Sequence, residues 1–232
     1  MALIKFGGGI TEMRGSMAGN VYSRNKSGAY IRSRTKPINP NTALQQVVRA
    51  TLAFLTSRWS DTLTIAQRAA WNLYGSNVAM LNKLGESIYL SGFNHYIRCN
   101  SILKRSARTL VDAGPVIFEI PEADPTFSIT ASEATQLVQY TFDDTMAWNI
   151  EDNGWMHLFG GQPQNGQRNF FGGPWKLAHA LAGAALGGAV SPANSAHPFV
   201  IAEGQRIWVY GRITRADGRL SQPFRNNVLV SA

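Results

Sequence analysis

The chain has 232 residues, 44% hydrophobic and only 16% charged, with a formal net charge of +8. That length can bury the core of one large or two small domains, and a single cysteine, Cys99, excludes an intrachain disulfide framework. The charge is uneven: residues 1–110 hold 15 Lys+Arg against 3 Asp+Glu, net +12, and residues 111–232 hold 7 against 11, net −4. This asymmetry points to two modules and one basic binding surface.

Residues 1–36 read as short strands and turns. "ALIKF" is a candidate strand closed by Gly7-Gly8-Gly9, and "GNVYSRN" and "AYIRSR" are candidate strands around a Lys26-Ser27-Gly28 turn. Period two puts Tyr22 and Arg24 on one face of the first strand, and Tyr30, Arg32 and Arg34 on one face of the second. If the two faces coincide they form a cationic-aromatic surface. Asn25–Thr42 is basic, carries no acid and is rich in turn residues, so Tyr22, Arg24, Tyr30, Arg32, Arg34 and Lys36 are the candidate partner-binding residues.

Three helices follow. Asn39 is placed to cap the first, with Pro40 at its first turn. Leu44, Val47, Val48, Leu52, Leu55 and Trp59 recur at helical spacing and define its apolar face. Thr64 and Gln67 form a capping box for the second helix, whose expected packing face is Ala66, Ala69, Ala70 and Leu73 with Trp71 beside them. Ser91 is placed to cap the third, which carries Phe93, Tyr96, Ile97 and Leu103 and ends in Lys104, Arg105 and Arg108 near its negative pole.

The texture changes at Gly114-Pro115. "VIFEI", "TFSIT", "QLVQYTF", "WMHLFG", "KLAHAL", "RIWVYGRI" and "NVLVS" read as short strands, separated by turns such as Asn153-Gly154 and Asp217-Gly218. The expected fold is α+β: an N-terminal strand arm and small three-helix module over residues 1–112, then an all-β immunoglobulin/fibronectin-like sandwich over 113–232.

The chemistry-bearing motifs are missing. No two of His95, His157, His179 and His197 lie at zinc-pair spacing, and His95 with Cys99 gives two ligands at most. Gly7-Gly8-Gly9 lacks the Lys-Ser/Thr of a phosphate loop, and Asp143-Asp144 and Glu151-Asp152 lack EF-hand spacing. A helix-turn-helix would open its recognition helix on Ile65, Ala66 and Ala69, which read base edges poorly. No catalytic residue, metal or cofactor is expected, and the expectation is a non-enzymatic protein. The start "MALIKFGGGI" lacks a signal peptide's apolar stretch, and Leu181–Val190 is too short and Gly-rich to span a bilayer, so no membrane partner is expected.

The run "NPNTALQQVVRATLAFLTSRWSDTLTIAQRAAWN", followed by "NKLGESIYLSGFNHYIRCN", resembles a group of structural proteins of tailed bacteriophages and prophages. The matching positions are Asn39, Pro40, Thr42, Gln45, Arg49, Trp59, Leu63, Thr64, Gln67, Arg68, Trp71, Leu90, Ser91, Gly92, Tyr96 and Asn100, with a looser likeness up to "DGRLS". The resemblance implies a virion component made in the host cytoplasm, with other capsid, neck or tail subunits and copies of itself as partners. Capsid decoration or cement is the expected role, and a neck or tail component is the alternative. From another class, a nucleic-acid-binding protein would use Arg24, Arg32, Arg34, Lys36 and Arg49.

Overall fold

A computed structural model describes residues 2–25 and 28–232. Strands β1 (Ala2–Leu3), β2 (Gly15–Met17), β3 (Asn20–Asn25) and β4 (Gly28–Ser33) make an antiparallel sheet in the order β1-β4-β3-β2. The two expected strands pair as a hairpin; its Lys26-Ser27 turn lies outside the described residues. No described residue before Thr51 is buried, so this sheet has hydrogen-bonded ladders but no core of its own.

Helix α1 (Ala43–Ser57) is capped by Thr42, not by Asn39. Thr42 and Gln45 exchange side chain-backbone hydrogen bonds, the same T-x-x-Q box that Thr64 and Gln67 make for α2 (Ile65–Asn77). Asn39 and Asn41 instead accept from the Arg49 guanidinium at 2.8 and 3.4 Å, bracing the chain as it enters the helix. A π-helical turn, Arg58–Thr62, leads on to α2, and a small hairpin of β5 (Ala79–Leu81) and β6 (Ser87–Tyr89) precedes α3 (Gly92–Arg105), which Ser91 caps as expected.

The packing faces differ from those the spacing predicts. Of the apolar stripe on α1 only Leu55 is buried, while Leu44, Val47, Val48 and Leu52 are exposed. On α2 the buried residues are Trp71, Tyr74 and Gly75, and Leu73 faces water. The larger aromatic surfaces take the interior in place of the alanines. Glycine is required at this crossing: a Cβ on Gly75 would lie 2.6 Å from the Leu90 carbonyl oxygen, and one on Gly92 2.4 Å from the Asn72 nitrogen.

The C-terminal half contains β7 (Ser128–Ser132), β8 (Leu137–Thr141), β9 (Trp155–Gly161), β10 (Gln164–Asn165), β11 (Trp175–Ala182), β12 (Ala193–Ala196), β13 (Gln205–Thr214) and β14 (Phe224–Leu229). One sheet runs β10-β13-β9-β11, with β14 also on β13; a second runs β12-β8-β7. Val138, Tyr140, Met156, Leu158, Val209 and Ile213 belong to one core cluster drawn from both sheets. The chain is thus α+β. "VIFEI" is not a strand: Val116–Ile120 has no ladder partner and runs between the buried prolines Pro115 and Pro121.

Alternation along β9 and β13 turns Trp155, His157, Phe159, Tyr210 and Arg212 to the other side of the larger sheet. There Phe159 and Leu220 join the helical core of Leu55, Leu63, Trp71, Tyr74, Tyr96, Cys99 and Leu103. The two halves therefore share a core. Arg98 on α3 donates to the carbonyls of Leu220 and Ser221 at 2.9 and 3.0 Å. Around the expected boundary, Asp112 takes a two-pronged bond from Arg58, its carbonyl accepts from the Trp71 indole, and Asn100 bonds both backbone groups of Val111.

Candidate interaction surfaces

The register of the N-terminal hairpin decides the fate of the expected cationic-aromatic face. Tyr22 pairs with Ile31, Ser23 with Tyr30, Arg24 with Ala29 and Val21 with Arg32. Directly opposed residues share a face, so Tyr22 and Arg24 lie on one side of the sheet, and Tyr30 and Arg32 on the other, with Arg34 just past the end of β4. The two groups do not coincide. Lys36 follows β4 in an exposed, irregular segment. What results is a two-sided sheet carrying an aromatic ring and a cation on each face.

Few acids offset this charge. Glu12 lies 2.9 Å from Arg14 and 3.9 Å from Arg24, and Lys5 pairs with Glu86 in the turn between β5 and β6. Among the described residues, Arg32, Arg34 and Lys36 have no ion-pair partner. Such exposed pairs contribute little to stability.

Beyond the sheet, α1 exposes a helical stripe of Leu44, Val47, Val48 and Leu52, with Val47 at 51% and Leu52 at 49% exposure. Periodicity in the sequence reports this face but not whether anything covers it. Beside this stripe, Leu44 and Val47 meet Pro174, Trp175 and Phe199 around an open apolar groove of about 410 Å³. Trp175 also lines a smaller cavity, about 220 Å³, with Tyr210, Arg212, Pro223 and Arg225. Tyr210 stacks on Phe159 at 4.6 Å and meets Trp175 edge-on at 4.9 Å. Burial, then the neighbouring Arg98, lowers the Arg212 guanidinium to about 10.

Burial shifts the interior titratable groups toward their neutral forms. Burial pulls His95 down to about 4, assisted by Arg98, and pulls His157 down to about 3, assisted by Arg108. Both imidazoles are buried without hydrogen-bond partners. Burial pushes the Cys99 thiol up to about 11, which removes the thiolate needed of a nucleophile. Among the described residues, no group of three or more His, Cys, Asp or Glu is placed to hold a metal ion. No described helix is long and apolar enough to cross a membrane. A cavity of about 310 Å³ is lined by Glu119, Trp148, Arg215 and Arg219, but Glu151 and Asp217 already pair with those arginines.

Comparisons of the chain with protein-family models, curated proteins and solved structures found no match.

Proposed function

We propose that this chain is a non-enzymatic structural protein of a tailed-phage virion, docking on the assembled particle through its N-terminal sheet and the start of α1. The observation that carries this reading is the N-terminal sheet: it is ordered into ladders, rich in cations, and among its described residues contributes no buried side chain. Ladder bonds add little net stability by themselves, and isolated sheets need a covered face. A neighbouring subunit supplies that cover. The resemblance carried by Asn39, Thr42, Trp59, Gln67, Arg68, Trp71 and Asn100 supports the virion setting. Capsid decoration or cement is the preferred station, with neck or tail as the alternative, and the paired C-terminal sheets are taken as an immunoglobulin/fibronectin-like sandwich. The separation of Tyr22 and Arg24 from Tyr30 and Arg32 counts against one continuous phosphate-binding face, so nucleic acid stays a secondary partner.

The test adds full-length protein and protein lacking residues 1–36 to particles that lack it, and counts bound copies after sedimentation. Loss of incorporation by a still-folded truncated protein is the expected result. Equal occupancy overturns the proposal.

A further inference from the structure

Two uncovered surfaces of this molecule complement one another. The first is the groove shared by α1 and β11. One wall is Leu44 and Val47, the other Pro174, Trp175 and Phe199, and Trp175 divides it from the cavity that holds Arg212 and Arg225. An apolar cleft thus passes into a cationic one across a single indole. Arg225 sits 5.7 Å from the Trp175 ring and Lys176 5.6 Å from the Phe199 ring. Among the described residues, no carboxylate pairs with Lys176, Arg212 or Arg225.

The second surface is the segment that the sequence misassigns as a strand. Val116 is 82% exposed, Ile117 45% and Phe118 40%, and the acids Glu119 and Glu122 follow, both exposed. Three consecutive exposed apolar residues are costly to leave in water. The segment is anchored at its base: Pro115 and Pro121 are buried, and the Glu119 carbonyl accepts from the Tyr74 hydroxyl at 3.4 Å and from Arg219 at 3.5 Å. Its side chains are therefore presented on a held backbone, which lowers the ordering cost of docking.

The segment cannot reach the groove of its own chain. Its base adjoins the turn after Thr214, where Gly218 abuts Val111, and Thr214 pairs with Trp155 at the start of β9. Trp175 pairs with Gly161 at the other end of that strand. We propose that the Val116–Glu122 segment of one copy docks into the Trp175 groove of a second copy, its apolar residues in the cleft and its acids on Arg212 and Arg225. This rests on the assembly reading above and names one of its contacts. The basic N-terminal arm is a poorer occupant, because Lys176, Arg212 and Arg225 repel it. Since the two surfaces differ, the contact is head-to-tail, and repetition yields a closed ring or an open chain. Each contact is small, and closure multiplies it.

The test is a charge exchange in the full-length protein, followed by sedimentation velocity across a concentration series. Glu119→Arg and Arg225→Glu, each alone, should weaken self-association roughly ten- to a hundredfold, within the range of coupling between contacting residues. The double variant should recover it, and so should a mixture of the two single variants, since each then offers the other a matching surface. Thermal melts of all variants should coincide, as both side chains are exposed. Single variants that associate like the parent, or a double variant no better than either, would overturn the pairing while leaving the arm-dependent docking intact. A parent protein monomeric at every concentration would overturn it too. Particle binding by the truncated protein, by contrast, bears only on the arm.

Discussion

The four-stranded N-terminal sheet and the larger C-terminal sheet are both antiparallel, yet they hold their shape for different reasons. The C-terminal sheet is covered on both sides: Met156, Leu158 and Val209 face the smaller sheet, and Phe159 and Tyr210 face the helices. The N-terminal sheet has no fully buried side chain among its described residues, and Val21, Tyr22, Tyr30 and Ile31 are only partly buried. Hydrogen-bond ladders are common to both, so the difference lies in side-chain burial. One sheet is part of the folding core, and the other is the surface proposed above to meet a partner.

The sharpest way to break the covered side is acid. His95 and His157 sit neutral in the shared core, their values lowered to about 4 and about 3, mainly by burial. A depressed value means the unfolded chain takes up protons first. The stability is present above the ordinary imidazole value of 6.5 and is lost as pH falls through the window toward 4 and 3. Each histidine should contribute a slope of about 1.4 kcal/mol per pH unit there. Urea unfolding at a series of pH values checks this, and His157→Gln should flatten the profile.

Phe159→Ala tests the contact between the halves directly. The ring is buried and stacked on Tyr210, so its loss should cost about 3–5 kcal/mol. Both helical and sheet signals should melt together and earlier. A two-step melt would instead mean that the halves fold independently.

A smaller effect is expected at Asn100. Its side chain accepts from the Val111 N–H at 2.8 Å and donates to the Val111 carbonyl at 3.0 Å, pinning the segment between the halves. Asn100→Ala should destabilise by about 1–3 kcal/mol, the cost of buried groups left unpaired. Denaturant midpoints would measure it.

The smallest effect belongs to the uncovered sheet. Tyr22→Ala and Arg32→Ala should each change stability by less than about 0.5 kcal/mol, as at other surface sites. Their effect should appear in particle binding. A large drop in melting temperature for either would show that the sheet supports the fold after all.

Local signals in the sequence carried much of this architecture. Thr64-x-x-Gln67 and Ser91 mark helix starts, and Asp217-Gly218 marks a turn, with Gly218 at φ +86°. Thr42-x-x-Gln45 is an equally legible helix start, but Asn39-Pro40 satisfies the capping rules as well, so local rules alone do not choose between them. "VIFEI" has strand composition, but composition does not supply a ladder partner. Strand alternation places each of Tyr22, Arg24, Tyr30 and Arg32 relative to its own strand, yet whether they share a face required the register, which separates them.

By itself, the sequence determined what depends on near neighbours: caps, turns, strand periodicity and the division of charge between the halves. Only the tertiary structure decided what depends on distant contacts. It put Tyr22 and Tyr30 on opposite faces, left the Leu44–Leu52 stripe of α1 exposed, and set Phe159 among helical residues from Leu103 back to Leu55 in the chain. The physical reason is that alternation and helical spacing specify a side chain's direction relative to its own element, while burial depends on which other element arrives on that side.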